Sequence, residues 1–185
     1  MRPLRLLLPP MVLSLFLAGC ASVVDRIPYQ DERLRARNEG YSLLYQLAVK
    51  NSDVDKILIV KHTDENVSAE IKAIAETYRR GRKQLEKFAY LEPQLNMKMP
   101  DLPKLETETR AAIEKTTTKR LLFATGKDFE RELLVTQLES TNYAAHLASV
   151  LKSQDDVSER REFLNAFAHE CEEHWKIVMR LLSSL

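Results

Sequence analysis

Residues 53–91 read DVDKILIVKHTDENVSAEIKAIAETYRRGRKQLEKFAYL. In this stretch Ile57, Val60, Asp64, Val67, Ile71, Ile74, Tyr78, Gly81, Leu85 and Phe88 recur at alternating steps of three and four. That spacing keeps one seam of a helix turned toward a partner, so it predicts a long helix from about Asp53 to Leu91. Asp64 falls in the predicted seam, a polar residue among apolar ones.

Upstream, Leu34, Tyr41, Leu44, Tyr45 and Ala48 share one side of a predicted helix over Asp31–Lys50, and Asn51-Ser52-Asp53 offers turn and capping residues. Downstream, Pro93, Pro100 and Pro103 bracket a connection that leaves the helix and reverses direction. Leu105–Ala124 reads as helical, weakened by Thr116-Thr117-Thr118, and Gly126 breaks or kinks it. From Asp128 to Lys152, Phe129, Leu133, Ala144, Leu147, Ala148 and Leu151 form one face. Ser153-Gln154-Asp155-Asp156 is a turn, with Asp156 and Glu159 spaced as a capping box. A last helix, to about Leu182, buries Phe163, Leu164, Phe167, Cys171, Trp175, Val178 and Leu182. No strand-like alternation of useful length occurs. The expectation is all-α: a four-helix bundle, mostly antiparallel because its connections are short.

The chain has 185 residues, with 28 Lys+Arg against 27 Asp+Glu and only 4 Gly. Balanced charge argues against a nucleic-acid partner, which calls for a clustered basic footprint. The cluster Arg79-Arg80-Gly81-Arg82-Lys83 reads as a solvated face, with anionic lipid or a partner as the alternative. Enrichment in Leu, Ala, Glu, Lys and Arg agrees with helices.

At the N-terminus, Met1-Arg2-Pro3-Leu4-Arg5 is a short basic region, Leu6–Leu17 is apolar, and Ala18-Gly19 are small residues just before Cys20. This is the tripartite pattern of a secretory signal. The apolar run is shorter than the roughly 20 residues that span a bilayer, and Pro9 and Pro10 interrupt it. Leu17-Ala18-Gly19-Cys20 resembles the lipobox of bacterial lipoproteins. The resemblance implies signal peptide 1–19, a lipidated Cys20 carrying acyl chains such as palmitate, and a tether over 20–30 leading to a helical domain over 31–185. Several acyl chains together anchor essentially irreversibly. By the same resemblance to sorted bacterial lipoproteins, Ala21 rather than Asp after the cysteine implies the outer membrane rather than inner-membrane retention, lipid-anchored and facing the periplasm. Signal removal takes away Arg2 and Arg5, leaving 26 basic against 27 acidic residues. It also leaves Cys171 without a cysteine partner.

Leu47-Ala48-Val49-Lys50-Asn51-Ser52-Asp53, Gly126-Lys127-Asp128-Phe129-Glu130 and Glu173-His174-Trp175 resemble the uncharacterised ferritin-like family of bacterial periplasmic and outer-membrane proteins. The likeness runs over roughly Glu39–Leu182. It implies a ferritin-like bundle, and many members of that family carry inward histidines on helices two, three and four. This sequence departs from that pattern. The third-helix position falls at or near Thr141, and the seam spacing turns Asp64 inward instead of His62. Only His174 keeps its phase.

No Glu-x-x-His occurs, so a di-metal carboxylate site of the ferritin kind is not encoded. His169-Glu170-Cys171-Glu172-Glu173-His174 also lacks the His-Glu-x-x-His of a zincin. A metal site remains as the alternative reading. His174, Cys171 and Glu170, with Asp64 from another helix (Glu130 being a further contributor), have donor types suited to zinc or copper. The preferred reading makes Cys171 a core thiol and His174 a boundary histidine with a hydrogen-bond partner. Glu132, Glu139 and His146 recur every seven residues but lie opposite the apolar face, and His62 and His169 also point outward. With no catalytic motif, the expectation is a non-enzymatic envelope protein without a cofactor. It would act through protein contact with an envelope partner or through self-association.

Overall fold

The computed structural model describes residues 26–91, Leu95, Met97 and 102–185. The expected signal peptide, Cys20 and the prolines at 93 and 100 lie outside them. The described residues form an all-α protein with no strand among them: α1 Arg26–Asn51, a 3-10 turn Val54–Ile59, α2 Glu65–Phe88, α3 Lys104–Phe123, α4 Gly126–Gln154 and α5 Ser158–Ser184. None of these helices is long and apolar enough to cross a membrane. α1, α2, α4 and α5 make the four-helix bundle.

The predicted stripes form most of the core. Tyr41, Leu44 and Ala48 of α1 are fully buried, as are Ile71, Ile74, Leu85 and Phe88 of α2, with Val67 and Tyr78 nearly so. Phe129, Leu133, Ala144 and Ala148 of α4 meet Leu164, Cys171 and Val178 of α5 in the same cluster. Leu34, expected inside, is 46% exposed.

Three boundaries differ from expectation. The tether predicted through Gln30 is shorter, because α1 already begins at Arg26. Pro28 sits in the first turn of that helix, where its missing N–H leaves no intrahelical bond unmade. The long helix predicted from Asp53 is divided into the 3-10 turn, a break over residues 60–64, and α2. The cause is Asp64. Its carboxylate accepts the Asn66 amide at 2.9 Å and caps α2, while its own N–H donates to Glu130 Oε1 at 2.5 Å. A short acid competes well for orphan amides at a helix start and poorly for a place in a helix interior. Asp64 is therefore exposed rather than in the seam, and Val60 before it is 74% exposed.

The third correction concerns the start of α5. Asp156 and Glu159 do not form a capping box; α5 has no side-chain cap bond, and Val157 occupies the cap position. Asp155 instead turns inward and accepts the Val157 amide at 2.8 Å, while exposed Asp156 pairs with Arg33 of α1 at 3.3 Å.

α2 and α5 approach closely at Gly81, where a Cβ would lie 2.6 Å from Cε2 of buried Phe167. Phe167 cannot simply move aside, because it stacks on Phe163 at 5.7 Å and meets the Tyr78 ring edge-on at 6.0 Å. Gly81→Ala raises helix propensity by about 1 kcal/mol, yet overpacking costs about 1–3 kcal/mol. The expected result in urea unfolding is a net loss of stability. A more stable Gly81→Ala protein would show that the helices are free to part here.

Candidate functional site

A convergent set of polar side chains that borders open space lies on the α2–α5 seam beside Gly81. Glu70 and Thr77 stand two turns apart on α2, and Arg80 follows Thr77 by three. Glu170 and His174 stand four apart on α5, so each set shares a helix face. His174 Nδ1 lies 2.7 Å from Glu70 Oε1, and its Nε2 lies 3.0 Å from Thr77 Oγ1. Arg80 donates to Glu170 Oε2 at 2.6 Å and to Thr77 Oγ1 at 3.1 Å. Thr77 Oγ1 is also 3.1 Å from Glu170 Oε2. Glu70 and Thr77 are buried, at 7% and 4% exposure, whereas Glu170 and Arg80 face solvent.

The donors and acceptors can be assigned chemically. An ionised Glu70 only accepts, so Nδ1 carries the proton in that bond. In the neutral imidazole, Nε2 then accepts the Thr77 hydroxyl. Thr77 has a single proton for two acceptors, Nε2 and the Glu170 carboxylate, while its oxygen receives Arg80. Two open hollows of about 220 and 470 Å³ flank this network, sharing Thr77, Arg80 and Glu170 in their walls.

Carboxylate, imidazole and hydroxyl in series have the connectivity of a nucleophile relay. Here the series is saturated. The Thr77 oxygen is engaged by three partners, its residue is nearly inaccessible, and the backbone amides around it are committed to α2, leaving none to hold an oxyanion. What the arrangement does is tie α2 to α5.

The four residues of the alternative metal reading are not brought together as a set. Cys171 lies in the core beside Tyr78, and burial, reinforced by Glu170 and Glu172, pushes its thiol well above the ordinary range. A thiol held protonated is a poor nucleophile. Asp64 caps the start of α2. Fourteen residues, about 20 Å of helix, separate it from the level of Tyr78 and Cys171. Glu130 is occupied by the Asp64 amide. Glu170 and His174 do converge, but on Thr77, and no group of three or more metal-ligating side chains occurs among the described residues. His62, His146 and His169 are exposed, as expected. The basic cluster is cross-tied within the chain: Arg79 to Asp55 at 2.5 Å, Arg80 to Glu170, and Arg82 to Glu86 at 3.5 Å.

Glu70 and Thr77 were not singled out by sequence reasoning. The available signal was two polar residues seven apart, each just before a seam residue (Ile71 and Tyr78), at the spacing that α5 repeats in Phe167 and His174.

No protein-family model matches this chain, and no curated protein matches it. Among solved structures, it resembles the crystal structure of a DUF305 protein from Streptomyces coelicolor, described as secreted. The TM-score is 0.61 at 16% identity, covering 82% of this chain and 93% of that one. At that identity the likeness shows the helical fold.

In the seam network, His174→Ala strands buried Glu70, while Thr77 keeps Arg80 and Glu170; the substitution costs about 2–3 kcal/mol, the upper part of the range for an unsatisfied buried polar group. Glu70→Gln keeps an acceptor for Nδ1 and costs about 1 kcal/mol. Chemical denaturation of the two variants checks the order; equal, negligible losses would contradict it.

Proposed function

We propose that this chain is a lipid-anchored lipoprotein of the outer membrane, facing the periplasm, whose helical bundle serves a non-enzymatic structural or protein-interaction role. The observation that carries the proposal is the sequence Leu17-Ala18-Gly19-Cys20 placed six residues before a helix that opens the bundle. A tether that short keeps the α1 start, the α2 end and the α4–α5 turn next to the membrane. The opposite end stands off by up to the length of α1, 26 residues or about 39 Å.

That far end supports the interaction role. Lys61 donates to the carbonyls of Leu122 and Ala124 at 2.7 and 2.9 Å, which sets the break before α2 against the end of α3. Ile59, Val60, Leu122 and Phe123 there are exposed by 82%, 74%, 55% and 81%. Large apolar side chains gathered at one end of a bundle mark a contact surface. The ferritin-like family assignment belongs to the same proposal, supported by the bundle architecture and the quoted motifs.

The test is expression of the full chain in a Gram-negative host with labelled palmitate and a photo-cross-linker at Phe123. Label on the wild type, lost together with membrane association in Cys20→Ala, and a defined envelope adduct are expected. A chain that takes no label, fractionates identically after Cys20→Ala, or cross-links to nothing would sink the corresponding part.

A further inference from the structure

α3 is unlike the other helices. None of its 20 residues is buried. Leu105, Ile113, Leu122 and Phe123 are 78%, 59%, 55% and 81% exposed, and within it only Leu121 packs against the core cluster, followed by Ala124 just beyond its end. The bundle core is complete without it.

Its ties to the bundle are polar and near the surface. Lys50 of α1 meets Glu114 at 3.3 Å, between side chains 61% and 60% exposed. Arg120 meets Glu132 of α4 at 3.5 Å, and Lys61 holds the two carbonyls at the C-terminal end. Exposed pairs of this kind hold weakly and are screened by salt. Within α3 the exposed pairs Lys104–Glu108 and Glu106–Arg110 give modest local support. Thr116-Thr117-Thr118 lowers its propensity, and the packed face that supplies most of a helix's stability in a protein is missing, since none of its residues is buried. The first residue of α4 is Gly126, at φ +54° with nothing within 4 Å of where a Cβ would be. A glycine in open space beside an extended Ala124 and Thr125 gives the chain freedom to swing.

We propose that α3 is a hinged arm, which detaches from an intact bundle and unwinds when its ion pairs are screened. Its opening is local because no core residue leaves with it. Hydrogen exchange read by mass spectrometry on the full chain tests this directly. Amides of 104–123 should exchange at least about 100-fold faster than those of α2, α4 and α5, and faster still when salt rises from about 0.05 to about 0.5 M. Lys50→Glu should accelerate α3 alone at low salt, and Lys50→Glu with Glu114→Lys should restore it. The α2 and α5 peptides in the same samples report that each variant is folded. Protection of α3 equal to that of α2, or a salt response shared by every helix, would overturn the proposal.

Discussion

The bundle depends on one buried carboxylate. Asp155, at the turn between α4 and α5, is 3% exposed and accepts four hydrogen bonds. They come from the Tyr41 hydroxyl at 2.7 Å, Arg160 Nε at 2.8 Å, Arg160 Nη2 at 3.0 Å and the Val157 amide at 2.8 Å. Arg160, only 1% exposed, also lies over the Tyr41 ring, 5.9 Å from its centroid. Burial by itself would raise the Asp155 carboxyl, but the bonds from Arg160, Val157 and Tyr41 outweigh it and hold the group below its ordinary range. The same burial, with Asp155 alongside, pushes the Tyr41 phenol upward. A buried pair adds little net stability over an apolar substitute, but it tolerates only one geometry. Here that geometry folds α5 back on α4 and places α1 against their turn.

A second polar tie, Glu70–His174–Thr77, fixes α2 against α5 on the seam that Gly81 permits to close. Apolar stripes alone allow helices to slide by a turn at modest cost, whereas a half-buried polar chain must find its own partners. The two ties therefore act on different helix pairs, one joining α1 to the α4–α5 turn and the other joining α2 to α5. α3 takes part in neither, and its surface position follows from that.

Periodicity made the bundle legible because burial on one face leaves its mark on every turn of a helix. Ile71, Ile74, Leu85, Phe129, Leu164 and Val178 were all placed by spacing alone. Competition between local and periodic signals was not resolved. Asp64 fits the three–four count and also a helix cap, and Thr63-Asp64-Glu65-Asn66 held the cap signal that prevailed. Asp155 and Asp156 look alike in sequence, and only Tyr41 and Arg160, 114 residues upstream and five downstream, decide which turns inward. His174 was expected to be a boundary residue with a partner, but Glu70 and Thr77 could not be named, since polar residues beside a seam are ordinary on any amphipathic helix. Cys171 was read as a core thiol from its phase, and it lies there.

The most direct test of this account is a double-mutant cycle on Asp155 and Arg160, with stability followed from neutral to acid pH. A carboxyl held below its unfolded value stabilises above the unfolded carboxylate range, and that contribution is lost as pH falls through the lower folded value. Asp155→Asn and Arg160→Met should each cost about 3–5 kcal/mol, and together far less than their sum. The acid-dependent loss expected of the wild type should shrink in Asp155→Asn. Small additive costs, with an unchanged acid profile, would contradict the central place given to Asp155.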